Sequence, residues 1–118
     1  MIMGGRLLAL TSTALLLHTL SADGERPSPS AQGAKPQSFV VTIENVQFTP
    51  ATLKVHRGDT IVWFNKDLFP HTVTADGKAF DSHDIAPNAS WSYRAVKPGD
   101  FVYTCIYHPT MKGQLSVQ

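Results

Sequence analysis

Short runs of alternating apolar residues, each closed by a turn signal, recur from residue 38 to the end of this chain, and that rhythm constrains the fold most. Phe39, Val41 and Ile43 alternate. The runs Thr52 to Val55 and Thr60 to Phe64 are joined by His56-Arg57-Gly58-Asp59, which predicts a hairpin with glycine where positive φ is easiest. Trp91, Tyr93 and Ala95 alternate before the Pro–Gly turn Lys97-Pro98-Gly99-Asp100, and Phe101, Tyr103 and Cys105 alternate after it. Successive strand side chains point to opposite faces, so Cys105 points toward the core. Leu115 and Val117 close the chain as a short strand. The regular spacing predicts an all-β fold, a two-sheet antiparallel sandwich with Greek-key connections, and calls for no helix of ordinary length. Trp63, Trp91, Tyr93, Phe101 and Tyr103, at strand spacing, are read as core rather than as a stacking platform.

A chain of 118 residues has room for one domain. Residues 1–22 have a basic start, Met1 to Arg6, an apolar stretch from Leu7 to Leu20 and the small residues Ser21-Ala22, as in a secretory signal peptide cleaved near Ala22. That stretch falls short of the roughly 20 apolar residues a membrane span needs, so no stable membrane insertion is expected, and the periplasm or another exported location is. Residues 23–37, with Pro27, Pro29 and Pro36 among Ser, Ala, Gln and Gly, read as a linker. Residues 38–118 are the expected folded unit, a size at which one core gives marginal stability and a bound metal adds to it.

Export sets the chain where disulfides form, yet it has one cysteine and no internal disulfide is possible. A free thiol in that compartment oxidises or pairs between molecules unless it is shielded. Metal ligation shields it, and the neighbours of Cys105 suit that role. In Cys105-Ile106-Tyr107-His108-Pro109-Thr110-Met111 a thiolate, an imidazole and a thioether recur at three-residue intervals. Soft sulfur donors suit Cu(I), imidazole suits both copper oxidation states, and two histidines, a cysteine and a weak methionine are the donor set of blue-copper sites. The second histidine must come from a distant segment, and His71, in Pro70-His71-Thr72-Val73 after the apolar run ending at Phe64, qualifies. The expected metal ligands are therefore His71, Cys105, His108 and Met111, holding one copper that cycles between Cu(I) and Cu(II). Zinc accepts Cys and His, but the thioether speaks against it.

Other residues offer less. His56 and His83 are additional imidazoles, and His83 with Asp81 and Asp84 is read as a solvated loop rather than a second metal site. No Ser-His-Asp or paired-carboxylate arrangement stands out, and Asp67, Asp76 and Asp100 lie in turns where Asp is ordinary, so no enzymatic activity is expected of this domain alone. Loss of Arg6 with the leader would leave nine basic and nine acidic residues. Near-zero charge without a basic tract excludes nucleic acid as an expected partner and leaves docking to apolar contact.

From about Phe39 to Gln118 the chain resembles a cupredoxin, in particular the amicyanin and pseudoazurin branch of the small blue-copper proteins. The resemblance rests on Val55-His56-Arg57-Gly58-Asp59-Thr60, Trp63-Phe64-Asn65, Pro70-His71, Lys97-Pro98-Gly99-Asp100-Phe101-Val102-Tyr103 and the ligand loop, whose short Cys-x2-His-x2-Met spacing is amicyanin-like. It implies that His71, Cys105 and His108 form a trigonal plane around copper with Met111 axial. It also implies a monomeric one-electron carrier between redox partner proteins, which dock transiently near His108, Pro109, Phe69 and Pro70. A copper-handling module for storage, delivery or resistance is the alternative use of the same ligands. Amicyanin-like proteins tend to place Asn directly after the first ligand histidine and a hydroxyl residue directly after the ligand cysteine, so that hydrogen bonds tie the two loops. Here Thr72 and Ile106 stand at those positions, and Asn65 is a substitute tie to be sought.

Overall fold

A computed structural model describes residues 35–118. The expected leader, 1–22, and all but the last three residues of the expected linker, 23–37, lie outside the described residues. Eight strands follow: β1 Ser38–Glu44, β2 Gln47–Thr49, β3 Thr52–Val55, β4 Thr60–Asn65, β5 Thr74–Ala75, β6 Ser90–Arg94, β7 Gly99–Cys105 and β8 His108–Val117. They form two four-stranded sheets, ordered β2-β1-β4-β6 and β3-β8-β7-β5. Among the described residues the one helical element is a single 3-10 turn, Asp76–Lys78.

The alternation read in the sequence is the alternation of burial. Val41 and Ile43 of β1, Ile61 and Trp63 of β4, Tyr103 and Cys105 of β7, and Leu115 and Val117 of β8 are all buried between the sheets. Trp63 is the hub, with Tyr103 edge-on to it at 5.5 Å between ring centroids and Trp91 at 5.6 Å. Trp91, Tyr93 and Phe101 are partly buried against the same core.

Two features depart from the expected antiparallel sandwich. The sheets are mixed: β1 runs parallel to β4, pairing Ser38 with Thr60 through Ile43 with Asn65, and β3 runs parallel to β8. In addition, β3 and β4 are not a hairpin, because they belong to opposite sheets. His56-Arg57-Gly58-Asp59 is an arch that carries the chain across the sandwich. Its N–H groups are bonded to both sides, Arg57 to the Gln118 carbonyl at 3.0 Å and Gly58 to the Ala95 carbonyl at 2.6 Å. Gly58 has φ 96°, a conformation that glycine adopts without strain. Val55 and Ile61 therefore enter one core from opposite walls, and because the chain visits the second sheet between β2 and β4, β4 returns beside β1 in the same direction.

Asp59 fastens this arch. Its carboxylate, buried at 4% exposure, accepts the Gln37 N–H on Oδ1 and the His56 N–H on Oδ2, both at 2.8 Å. The Gln37 N–H, then that of His56, hold the carboxyl below its ordinary value of 3.8 against the opposing pull of burial. A carboxylate with a depressed folded-state pKa contributes stability above the unfolded value and loses it as pH falls through the folded value. Asp59→Asn, whose amide cannot accept both bonds, is expected to lose about 2 kcal/mol at neutral pH. The gap to the parent should shrink below pH 3.8; denaturant curves that stay parallel across that range would show that Asp59 is not the source.

Candidate metal centre

Three of the four expected ligands, His71, Cys105 and His108, converge at one end of the sandwich. His71 follows β4 and is held by a bridge to Ile85, with the Ile85 N–H donated to its carbonyl at 2.7 Å. Cys105 ends β7 and His108 begins β8, so the expected short ligand loop is a two-residue turn, Ile106 and Tyr107, with Pro109 to Met111 already on β8. The ladder runs Cys105 opposite His108 and then Thr104 opposite Lys112, which leaves Pro109, Thr110 and Met111 as extra length on β8. That bulge lets His108 sit at the strand end while Met111 turns inward, where it is buried at 3% exposure.

The donor atoms face one another. Cys105 Sγ lies 3.6 Å from His71 Nδ1 and 3.8 Å from His108 Nδ1, and the three ligand atoms fall within 4.8 Å of one another. Cys105 and His71 are wholly buried, whereas His108 is half-buried. The Thr72 N–H points at Cys105 Sγ, 3.3 Å away, as suits a thiolate acceptor. Two imidazoles and a sulfur that receives a hydrogen bond, with a buried thioether three residues beyond His108 in the chain, are the kinds of donor a copper site uses. His56 and His83 play no part: both are exposed, and the His83 ring sits 3.9 Å from Asp81 on the surface.

The residues around these donors were less visible in the sequence. Thr72 is itself the tie between the loops, because its Oγ1 accepts the Ile106 N–H at 3.0 Å. The direction of the chain beyond it can be deduced. Asp81 Oδ1 can only accept, so Thr74 donates to it at 3.2 Å, which leaves Thr74 Oγ1 to accept the Thr72 hydroxyl at 3.0 Å. Asp81 is thus the anchor of a hydroxyl relay to the cysteine loop, and the His83 N–H, the leading influence on it, helps hold its carboxyl below the usual range. Asn65, sought as the substitute tie, instead shapes the segment leading to His71, donating to the Phe69 and Ile85 carbonyls at 2.9 Å each and accepting the Asp67 N–H. Asp67 is not an ordinary turn aspartate: its Oδ2 lies 2.7 Å from His71 Nε2. Burial pushes its carboxyl up, but the Val46 N–H, the His71 ring and the Asn45 N–H outweigh that and hold it low. A carboxylate four residues before the histidine of a Pro-His pair was the available sequence signal.

Around the half-buried edge of His108 the surface is apolar. Phe69, Ile106 and Tyr107 are each exposed over about half their surface. Phe69, Pro70, Tyr107 and His108 line one shallow cleft, and the Phe69 ring contacts those of both His71 and His108. Tyr107 is pinned by its hydroxyl, which donates to Asp84 Oδ1 at 2.6 Å.

The model of the cupredoxin-like domain matches residues 7–117. The chain belongs to the cupredoxin family. Among individual cupredoxins it is 26% identical to an amicyanin of Paracoccus denitrificans over 117 residues, covering 95% of this chain and 88% of that one. It is 28% identical to amicyanin-alpha of Methylorubrum extorquens over 112 residues, covering 91% and 87%. The reduced Cu(I) form of an amicyanin variant superposes with a TM-score of 0.65 at 26% identity, covering 81% of this chain and 95% of that one. This cupredoxin therefore shares the β-sandwich of those proteins.

Proposed function

We propose that this cupredoxin is an exported blue-copper protein that carries single electrons between redox partner proteins and turns over no substrate of its own. The observation that carries the reading is the convergence of His71 Nδ1, Cys105 Sγ and His108 Nδ1 within 4.8 Å, with the half-buried His108 opening onto an apolar face. His71, Cys105 and His108 hold the metal, and Met111 supplies the thioether. Bound copper supplies a one-electron change between Cu(II) and Cu(I). The protein's part is to keep its donors still during that change. His71 is fixed by the Ile85 bridge and Asp67, Cys105 by the Thr72 N–H, and the turn between Cys105 and His108 by Thr72 and Tyr107. Phe69, Pro70, Pro109, Ile106 and Tyr107 exclude water around the exposed edge of His108 when a partner docks, and an encounter of that kind need bury little surface. Among the described residues no helix is long and apolar enough to cross a membrane.

Electron self-exchange between oxidised and reduced copies, followed by NMR line broadening, tests the reading without a known partner. Fast exchange is expected. In Phe69→Lys the rate should fall about tenfold, because losing about 1.5 kcal/mol of apolar contact in the encounter corresponds to about that factor, while the absorption spectrum stays the same. Slow exchange in the parent, together with ready loss of copper to a chelator, would instead favour copper storage or delivery.

A further inference from the structure

Asp67 gathers hydrogen bonds from two separate parts of the chain. Its Oδ1 accepts the Asn45 N–H at 2.7 Å, and its Oδ2 accepts the Val46 N–H at 3.0 Å and faces His71 Nε2 at 2.7 Å. Asn45 and Val46 form the turn between β1 and β2, with φ of 54° and 58°. The Asp67 side chain is 10% exposed and that of His71 is wholly buried, so water competes weakly for this contact. An ionised carboxylate only accepts hydrogen bonds, so His71 Nε2 carries the proton and Nδ1, the nitrogen facing Cys105, holds the lone pair.

We propose that Asp67 is a positioning residue for electron transfer: through His71 it fixes the imidazole tautomer and biases the centre toward its oxidised state. The inference rests on the carrier reading and adds to it a source of the reduction potential. A negatively charged acceptor makes the ligating imidazole more basic, and a nearby negative charge favours the more positive metal state. The Thr72 N–H acts the other way, because a donor to Cys105 Sγ withdraws charge from the thiolate. The potential is then a balance between one carboxylate behind His71 and one amide in front of Cys105. The turn at Asn45 and Val46 holds the carboxylate in place with two N–H groups that an amide side chain could not both satisfy.

Asp67→Asn separates this role from simple support. Affinity for Cu(II) relative to Cu(I) is expected to fall about tenfold, an upward shift of about 59 mV for a one-electron couple. A residue that merely stabilised the fold would weaken both states alike and leave the potential unmoved. Nitrogen-15 NMR of the metal-free parent protein gives a second readout that needs no variant and no copper, and His71 is expected as the Nε2–H tautomer. An affinity ratio changed by less than about twofold in Asp67→Asn, or an Nδ1–H tautomer at His71 in the parent, overturns the proposal. A parent protein with no reversible copper couple would count against the carrier reading instead, and the His71 tautomer would still decide the role of Asp67.

Discussion

Gly113→Ala is expected to destabilise this domain by about 3 kcal/mol, the upper part of the usual range for overpacking a closed core. Gly113 on β8 lies directly opposite Tyr103 on β7. A Cβ at this glycine would overlap the Tyr103 ring at Cζ, Oη and Cε2. The ring has nowhere to retreat: Tyr103 is 1% exposed, with Phe48 edge-on at 4.8 Å and Trp63 at 5.5 Å. Each kcal/mol lowers the melting temperature of a domain this size by roughly 4–8 °C, so a fall of about 12–24 °C should appear in a thermal melt followed by circular dichroism. Tyr103→Ala is destabilising by itself, yet combined with Gly113→Ala it should cost clearly less than the sum of the two, since the second change removes the atoms that clash. Additive losses would mean that the ring can move aside. The consequence extends to the metal end, because Tyr103 precedes Cys105 by two residues on the same face of β7.

Cys105→Ser is expected to abolish the intense visible absorption of the Cu(II) protein and to weaken Cu(I) binding by more than the roughly 100-fold that loss of an outer-shell partner can cost. The hydroxyl that replaces Sγ is a poor ligand for a soft ion, although it can still accept the Thr72 N–H. The metal-free variant should therefore fold. The discriminating measurement is the stabilisation conferred by copper. A ligand present at 100 times its Kd stabilises the native state by about 2.7 kcal/mol, which the parent should gain and the variant should not. Equal copper stabilisation in the two proteins would place the metal away from Cys105.

Much of this account was readable from the chain because it depends on local pattern. Alternation at Phe101, Tyr103 and Cys105 puts the cysteine inward whichever strands flank it, and soft donors at three-residue spacing have few other uses. His71 could be chosen because it follows a strand and a proline. What the sequence hid was decided by partners far along the chain. The 56–59 segment has the composition of a hairpin turn, but whether it closes a hairpin or crosses between sheets is set by the Gln118 and Ala95 carbonyls that its N–H groups reach. The parallel pairing of β1 with β4 likewise follows from that crossing and not from any residue within either strand. Thr72 looked ordinary because its partners, Cys105 and Ile106, lie more than 20 residues away, and so do the Asn45 and Val46 N–H groups that aim the Asp67 carboxylate at His71.

The most direct test of the central claim is an optical titration of the purified protein with Cu(II), followed by cycles of reduction and reoxidation. An intense blue band is expected that saturates at one equivalent, bleaches on reduction and returns unchanged on reoxidation. A band that is absent, or that fails to return after the first cycle, would contradict a redox-competent site built from His71, Cys105, His108 and Met111.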